Sequence, residues 1–447
     1  MVWVWAISRG DGNAEMMNNR LPEKYAAPYI IGIGGVGMAG IARLLMAMGV
    51  PVAGSDLRAS EITLMLEADG VLVEVGDYSP DLLQRASCVI TPVSMGYASK
   101  VWIYCMTHQI PVLNKVQALS EILSASQCEP VYVLGSTSRG KVARMIAEAA
   151  HIGWLCGLVP TDGDDRLVHL ARRMAVELDD PYILSTPKSL TAFPDGDFVV
   201  SDFQFEDYDH YGYGRNDIRE VVDRIRREKS LAGRCFVLPR IAEAENQLSF
   251  RIVKDDDFDH AESCVFTFDE KYVYLPEGWR GMPMRYDGTR ADASGVAAAC
   301  AWLRARGRAE RPVDIPAVGW FERVAANAIL EIRMHPYPIA LALEAARKRA
   351  GERKVHAVFK PFISVIRMHE TAYWRKAFGL ADEVHVVLPG YEGVDDALAD
   401  DFVRGLRDGL QTVSTHSLED VQEIAHSETG KGDLWVWFGA PDLVRGL

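Results

Sequence analysis

A glycine-rich stretch that leads to a lysine lies in the first half of this 447-residue chain. Gly135, Gly140 and Lys141 have the spacing G-x-x-x-x-G-K, after an apolar run and before a segment of helical length. The backbone N–H groups of such a loop can surround a phosphate at a helix N-terminus, and the lysine adds a positive charge. The pattern normally ends in Ser or Thr, whose hydroxyl binds Mg²⁺, but Val142 follows the lysine here. The stretch therefore predicts a phosphate site that lacks its usual metal ligand.

A second glycine loop lies closer to the N-terminus. Gly32, Gly34 and Gly37 form G-x-G-x-x-G before the predicted helix Val36–Met48, and Asp56 follows the next predicted strand. Such glycines let a pyrophosphate approach the backbone, and the acid can accept hydrogen bonds from ribose hydroxyls. The alternative is a tight turn that binds nothing. The strand and helix on either side favour a nucleotide site, but the glycines do not distinguish NAD from a UDP-sugar.

The elements that must position these loops alternate between strand-length apolar runs and helix-length segments, which is typical of parallel sheets covered by helices. The predicted strands of the first and central parts are Tyr29–Ile33, Val50–Gly54, Cys88–Thr91, Ile110–Leu113, a strand that begins at Val131, Arg173–Glu177 and Phe198–Ser201. The segment Arg234–Tyr286 is predicted to be antiparallel, and Ala291–Arg306 to be a helix. The predicted elements of the last part are the helices Pro338–Ala350 and Glu370–Phe378 and the strands Val355–Phe359, Glu383–Leu388 and Leu434–Phe438.

The fold class predicted from this alternation is α/β, with three consecutive domains. They are a Rossmann-like N-terminal domain, a P-loop-type central domain with a parallel or mixed sheet, and a Rossmann-like C-terminal domain. The predicted ranges are a poorly ordered N-terminal extension at 1–24 and domains at 25–126, 127–312 and 313–447.

Composition excludes several classes of partner. A net charge of −14 argues against nucleic acid or an anionic membrane as the main partner, because both require a basic surface. The seven cysteines are odd in number and never spaced C-x-x-C, which favours reduced thiols in a cytoplasmic protein. The apolar N-terminus is too short for a signal peptide, and no apolar run is long enough to span a bilayer.

Longer segments of the sequence resemble the Mur ligase family, and the resemblance extends over residues 28–447. GIGGVGMAGIA, GSDL and QIPVLNKVQALSEIL resemble segments of the first domain, and VELDDPYILSTPKSLTAFPDGDFVVSD and DYDHYGY resemble the central domain. MHPYPIALALEAAR, VFKP, ADEVHVVLPGY and GDLWVWFGAPD resemble the C-terminal domain. In this family ATP phosphorylates the carboxylate of a UDP-muramyl substrate, and an amine then attacks the acyl phosphate to form an amide.

The resemblance implies ATP and Mg²⁺ as cofactors, a UDP-sugar as the small-molecule partner, and a small amine or amino acid as the acceptor. The implied catalytic residues are Lys141, Glu177 and His210. The implied ATP-binding residues are Gly135, Ser138, Arg139, Gly140 and Lys141, and the implied metal ligands are Glu177, Asp179 and Asp180. The implied UDP-sugar-binding residues are Gly32, Gly34, Gly35, Gly37, Met38, Ser55 and Asp56.

Several ATP-site motifs of the family are replaced in this chain. The replaced segments are Val142-Ala143, Arg290–Ser294, Ala325-Ala326, Leu330–Pro336 and Lys360–Ile363. Each replacement exchanges a donor, acceptor or metal ligand for an aliphatic or differently charged group. Loss of one electrostatic contact to a transition state commonly costs about 10²–10³ in rate, so several losses could remove useful turnover.

Two functional hypotheses follow. The first is an ATP-dependent ligase of altered specificity that uses Lys141, Glu177 and Asp179, with Arg139 and Arg144 replacing part of the missing positive charge. The second is a catalytically silent homologue that binds a UDP-muramyl compound or a partner enzyme. A nicotinamide-dependent oxidoreductase would use only the first loop, and the two later domains argue against it.

Overall fold

The structure is a computed structural model of the whole chain. It describes residues 21–57, 59–76, 78–92, 95, 99–135, 139–155, 168–169, 171–178, 193–201, 225, 227, 229–230, 232–240, 243–255, 257–286, 290–307, 322–325, 327–331, 336–361, 366, 370–387, 396–428 and 432–439. These residues form three β-sheets and belong to two compact units. The first unit contains the first and second sheets, and the second unit contains the third sheet.

The first sheet is five-stranded and parallel. Its strands are Pro28–Ile31 (β1), Ala53–Asp56 (β2), Leu72–Val75 (β3), Cys88–Thr91 (β4) and Val112–Asn114 (β5). Its helices are Val36–Ala47 (α1), Glu61–Ala68 (α2), Pro80–Arg85 (α3), Lys100–Thr107 (α4) and Lys115–Ala125 (α5). The strand order is β3-β2-β1-β4-β5. The strand order therefore changes direction between β1 and β4. Open α/β sheets bind ligands at such a switch point, outside the carboxyl ends of the strands.

The segment before β1 packs onto this first domain. A short 3₁₀ turn covers Glu23–Tyr25, and the Tyr25 side chain is buried. The Tyr25 hydroxyl donates to Glu121 Oε2 of α5 at 2.9 Å, and Lys24 Nζ lies 2.6 Å from the same oxygen. The last residues of the predicted extension are therefore attached to the domain, whereas residues 1–20 lie outside the described chain.

The second sheet is ten-stranded and mixed. Its strands are Glu129–Leu134 (β6), Gly153–Leu155 (β7), Val168–His169 (β8), Arg173–Glu177 (β9), Asp197–Val200 (β10), Cys235–Arg240 (β11), Gln247–Lys254 (β12), Glu262–Phe268 (β13), Tyr272–Tyr274 (β14) and Met284–Arg285 (β15). Its helices are Arg139–Ala150 (α6) and Arg290–Ala305 (α7). Strands β7, β9, β6, β10 and β11 pair in parallel, and β11 to β15 form an antiparallel series.

A buried carboxylate ties the second sheet to α7. Asp197, at the start of β10, has no exposed surface, and its Oδ2 accepts hydrogen bonds from Arg173, Arg306 and the Trp302 indole at 2.8–2.9 Å. Its Oδ1 accepts from the Cys235 N–H at 3.0 Å and from a second nitrogen of Arg306. Burial alone would lower the pKa of Arg306, but its hydrogen bond to Asp197 and the charge of that carboxylate raise it overall. Asp197 therefore joins three strands and a helix through two ion pairs and hydrogen bonds from neutral donors.

The third sheet is six-stranded. Its strands are Glu322–Ala325 (β16), Ala328–Glu331 (β17), Val355–Phe359 (β18), Glu383–Val387 (β19), Val413–His416 (β20) and Leu434–Phe438 (β21), and its helices are Pro336–Ala350 (α8), Thr371–Phe378 (α9), Asp396–Arg407 (α10) and Leu418–Glu428 (α11). The order is β16-β17-β21-β18-β19-β20, and among the described strands of this sheet only the β16–β17 pair is antiparallel. Helices α8, α9 and α10 share a hydrophobic core with one face of the sheet.

The opposite face of the third sheet carries a row of histidines. His356 of β18, His385 of β19 and His416 of β20 lie side by side, with nitrogen–nitrogen distances of 3.2 and 3.3 Å. The His356 ring stacks on Trp435 of β21, with centroids 4.2 Å apart and planes 6° apart. Burial, and then the neighbouring His356 and His416, lower the pKa of His385 to about 4.

The predicted α/β class with parallel and mixed sheets in three regions is confirmed. Four predicted strands agree with the structure residue for residue, namely Cys88–Thr91, Arg173–Glu177, Val355–Phe359 and Leu434–Phe438. Strand β2 begins later than predicted, at Ala53, and the hairpin of β16 and β17 was not predicted. Each sheet lies inside one predicted domain range, while the domain boundaries themselves stay predictions. No helix among the described residues has the length and apolarity needed to cross a bilayer.

Candidate functional site

The first glycine loop joins β1 to α1 at the carboxyl end of the first sheet. Gly32 has a φ of +67°, which glycine adopts without strain, and its carbonyl accepts from the Gly35 N–H at 2.9 Å. Gly35 is the N-cap of α1, and no side chain caps this end of the helix. The first N–H groups of an α-helix have no acceptor within the helix, so they can bind an anion such as a diphosphate.

The loop is held against β2 by a carboxylate. The Gly34 N–H donates to Asp56 Oδ2 at 2.9 Å, and the Ile33 N–H donates to the Ser55 carbonyl at 3.1 Å. A Cβ atom on Gly34 would lie 2.9 Å from both Asp56 Oδ2 and Thr63 Cγ2, so only glycine allows this close approach. Asp56 therefore fixes the shape of the loop, and its predicted bond to a ribose stays a prediction.

The other residues predicted for the UDP-sugar site lie close by. Gly37 and Met38 belong to the first turn of α1, and Ser55 belongs to β2. Met38 and Ser55 are only 4% and 5% exposed, so their side chains pack inside the domain and any ligand contact would come from their backbone. Thr63, which touches the loop from α2, was not predicted. Its Ser60-x-x-Thr63 capping box was the available signal.

The second glycine loop follows β6 between the parallel strands β9 and β10. Glu177, the last residue of β9, pairs in register with Val133 of β6. The N–H and hydroxyl of Ser201, just after β10, both donate to the Leu134 carbonyl, at 2.8 and 3.2 Å. Glu177 and Ser201 therefore lie at the carboxyl ends of strands that pair with β6, the strand that leads to Gly135. Ser201 was not predicted as part of this site.

The helix after this loop begins with the predicted phosphate-binding residues. Arg139, Gly140 and Lys141 form the first turn of α6. Val142 and Ala143, the two residues that follow Lys141, are completely buried. The side chain at position 142 therefore belongs to the hydrophobic core and offers no oxygen to a metal ion.

Arg144 is paired within its own helix. Its side chain is buried on α6, and its Nε donates to Glu148 Oε1, one turn towards the helix C-terminus, at 2.8 Å. The guanidinium also lies over the Trp154 ring at 5.9 Å. These contacts hold Arg144 against the fold, and the roles predicted for Arg139 and Arg144 at the loop stay predictions. Four predicted site residues lie outside the described residues, namely Ser138, Asp179, Asp180 and His210.

The residues of the second loop fit a nucleotide better than they fit a metal ion. A helix N-terminus preceded by Gly135 and containing Lys141 suits a phosphate. Mg²⁺ prefers carboxylate oxygens, substrate phosphates and water, and among the described residues Glu177 provides such a carboxylate. The buried Val142 provides none. Among the described residues, Glu177 therefore fits the predicted role of a Mg²⁺ ligand, and that role stays a prediction.

Together, the two glycine loops and the three sheets define the class of protein as one with the multi-domain fold of the Mur ligases. Residues 28–127 match the Mur ligase family, catalytic domain. Two solved structures share this fold over 94% of the chain. The murein peptide ligase of Psychrobacter arcticus has a TM-score of 0.62, 15% identity and 97% of its own chain covered. The UDP-N-acetylmuramate–alanine ligase of Thermotoga maritima has a TM-score of 0.63, 15% identity and 96% of its own chain covered.

Proteins similar to this chain in sequence include UDP-N-acetylmuramate–L-alanine ligases. That of Streptomyces avermitilis is 24% identical over 95% of this chain and 97% of its own length. That of a Jannaschia species is 25% identical over 94% of both proteins. The resemblance of this chain to the Mur ligase family is therefore confirmed.

Proposed function

We propose that this chain is a divergent ATP-dependent ligase that forms an amide on the carboxylate of a UDP-N-acetylmuramate-type substrate. The observation that supports the proposal is the pairing of Glu177, the last residue of β9, with Val133 of β6, two residues before Gly135. A carboxylate at this strand end, together with a loop and helix that suit phosphate, supports this chemistry. The names and full-length similarity of the relatives support the substrate class. We propose a cytoplasmic protein, as expected for this chemistry.

Each loop would bind one substrate. The N-terminus of α1 would hold the diphosphate of the UDP-sugar, and the N-terminus of α6 with Lys141 would hold the phosphates of ATP. A carboxylate oxygen of the sugar substrate attacks the γ-phosphorus, and ADP leaves. The amine of an amino acid then attacks the acyl carbon, inorganic phosphate leaves, and the amide remains. Mg²⁺ held by Glu177, and by Asp179 and Asp180 as the resemblance implies, would neutralise charge on the transferred phosphoryl group.

A second candidate is a catalytically silent homologue that keeps the sugar-nucleotide site. The observation that favours it is the complete burial of Val142 and Ala143, because neither can act on a metal ion. Such a protein would bind a UDP-muramyl compound, or a partner enzyme, without consuming ATP. The first loop, with its Asp56 contact, would serve this function unchanged.

Calorimetric titration of the full chain separates the two candidates. ATP with Mg²⁺ and UDP-N-acetylmuramate are titrated separately, and ADP release is then assayed with both present and a panel of amino acids. The ligase binds both nucleotides and releases ADP when its amino acid is present. Binding of the sugar nucleotide with no ATP heat and no ADP release would reject the ligase and support the silent homologue.

Replacing Gly34 with alanine is expected to weaken UDP-N-acetylmuramate binding by at least about tenfold, or 1.4 kcal/mol. The new Cβ would displace Asp56 Oδ2 and Thr63 Cγ2, and the loop would lose the bond that shapes it. The matched control is Gly70→Ala in the turn after α2, where φ is +93° and nothing lies within 4 Å of the new atom. It should cost some stability but leave the dissociation constant unchanged. Unaltered binding in Gly34→Ala would remove this loop from the site.

A further inference from the structure

Three side chains of the third sheet form a compact cluster that the proposed ligase chemistry does not use. His356 Nδ1 lies 3.2 Å from His385 Nε2 and 3.6 Å from Glu383 Oε2, and the last two atoms are 4.0 Å apart. Glu383 and His385 are two residues apart on β19, so both point to the face that carries His356. We call these residues the His356–Glu383–His385 cluster.

The spacing of the three atoms suits a tetrahedral metal ion. Zinc binds histidine nitrogen and carboxylate oxygen at about 2.0–2.2 Å, so two of its tetrahedral ligands are about 3.3 Å apart. The cluster has this separation between its two nitrogens and exceeds it by less than 1 Å on the other two sides. Two imidazoles and one carboxylate also suit zinc-type ions better than they suit Ca²⁺ or Mg²⁺, which prefer oxygen ligands.

Both histidines have a polar group beside the ring nitrogen that faces away from the cluster. His356 Nε2, on the far side of the ring from the cluster, lies 3.6 Å from Asp433 Oδ2. His385 Nδ1 lies 3.1 Å from Ser414 Oγ, and also 3.3 Å from His416 Nε2. A histidine that binds a metal through one nitrogen normally donates its other N–H to such an oxygen. The stacked Trp435 ring also fixes the plane of His356.

One buried nitrogen of this cluster is not satisfied by the hydrogen bonds of the sheet. His356 Nε2 is buried and has no partner within hydrogen-bonding distance among the described residues. A neutral His356 that binds a metal through Nδ1 carries its proton on Nε2 and directs it towards Asp433. A small rotation would then close the 3.6 Å gap. The competing arrangement, a hydrogen-bonded pair of imidazoles, does not require a proton on Nε2.

The cluster lies at the amino end of its strands and can be reached from solvent. His356 and Glu383 are the second and first residues of β18 and β19, and the Glu383 side chain is 27% exposed. Its other oxygen, Oε1, is 2.8 Å from Lys354 Nζ, which holds the carboxylate in place. Open α/β sheets bind their ligands at the carboxyl ends of the strands, which for β18 is the end that leads to Lys360. The cluster lies at the opposite end of the strands.

We propose that His356 Nδ1, Glu383 Oε2 and His385 Nε2 bind a zinc-type divalent ion, with water or a further group as the fourth ligand. The site would cross-link β18 and β19 and stabilise the third sheet. It does not depend on the ligase proposal, because none of its residues belongs to either glycine loop.

The test uses the full chain after treatment with a chelator, and the probes are Zn²⁺ by calorimetry and Co²⁺ by visible absorption. The wild-type protein should bind one equivalent with the strong visible bands of tetrahedral Co²⁺. His385→Asn should abolish those bands, and Asp433→Asn should weaken Zn²⁺ binding by about 10–100-fold. The matched control is His260→Asn, because His260 is an exposed histidine paired with Asp257 in the other unit. It should bind Zn²⁺ as the wild type does.

Absence of tetrahedral Co²⁺ bands in the wild-type protein would overturn the proposal. Bands that persist in His385→Asn would place the metal elsewhere and would also overturn it. If circular dichroism shows that His385→Asn is unfolded, Glu383→Gln decides. This partly exposed side chain keeps its shape but loses its anionic ligand, so the Co²⁺ bands should shift and affinity should fall at least tenfold.

Discussion

Replacing Asp197 with alanine is expected to lower the free energy of unfolding of the second sheet by about 3–5 kcal/mol. The substitution leaves two arginines without their counter-ion and leaves the buried Trp302 indole and Cys235 N–H without an acceptor. Each orphaned buried donor costs about 1–3 kcal/mol. The side chains of Arg173 and Arg306 are 26% and 23% exposed, so water can solvate them partly after the substitution. The expected loss of stability is therefore smaller than the sum over all the orphaned donors.

The labelling rate of Cys264 measures this change locally. Cys264 lies in β13 of the same sheet, is buried, and has a pKa raised to about 12 by that burial, so it reacts only when the sheet opens. The loss of stability corresponds to labelling that is faster by roughly 10²-fold or more. The control is Asp257→Ala, because Asp257 and its ion-pair partner His260 are both exposed to solvent. It should change stability by less than about 0.5 kcal/mol. Equal labelling rates in the two variants would mean that the Asp197 contacts do not stabilise the sheet.

The elements predicted correctly are those whose sequence carries a strong local signal. Strands β4, β9, β18 and β21 are short runs of β-branched, aromatic or other apolar residues, bounded by polar residues or turns. The helix that begins at Pro336 was predicted two residues late, although proline is favoured at the first helical position. Both glycine loops were placed because a strand and a helix flank each of them.

Elements without such a signal were displaced or missed. Strand β2 has the sequence AGSD, a poor strand by propensity, and its bounds are set by pairing with β1. A Cβ on Gly54 would lie 2.4 Å from the Ile30 carbonyl oxygen, so the strand requires glycine at this position. Glycine has a low strand propensity, and a prediction from propensity therefore disfavours a strand here. The hairpin of β16 and β17 was missed because each strand has only four residues and a short turn at Asn327 separates them. Strands this short carry little periodic signal.

The His356–Glu383–His385 cluster could not be predicted because it depends on the register of two strands. The spacing Glu383-x-His385 gives one face of β19, but nothing local indicates that His356 lies opposite it. That neighbour follows from the pairing of His356 with Glu383 across β18 and β19. The same limit applied to Ser201, which reaches the second loop only because β10 pairs with β6.

Replacing Glu177 with glutamine is expected to reduce Mg²⁺-dependent ADP release by about 10²–10³-fold, if the ligase proposal holds. Glutamine keeps the shape of the side chain at the end of β9 but removes the charge that would hold the metal. The rate is measured with ATP, UDP-N-acetylmuramate and the accepted amino acid at saturating concentrations. The matched control is Glu148→Gln, because Glu148 lies on the helix after the loop and pairs with Arg144.

The dependence of the Glu177→Gln rate on Mg²⁺ concentration distinguishes a metal ligand from a structural residue at a strand end. Loss of a metal ligand raises the Mg²⁺ concentration needed for half-maximal rate, so part of the lost activity returns at high Mg²⁺. Damage to the strand end lowers thermal stability and is not rescued by the metal. Glu148→Gln should retain the wild-type Mg²⁺ dependence. An unchanged rate in Glu177→Gln would show that the metal is held elsewhere. Val142 has no hydroxyl, so Asp179 and Asp180 would then be the remaining predicted metal ligands.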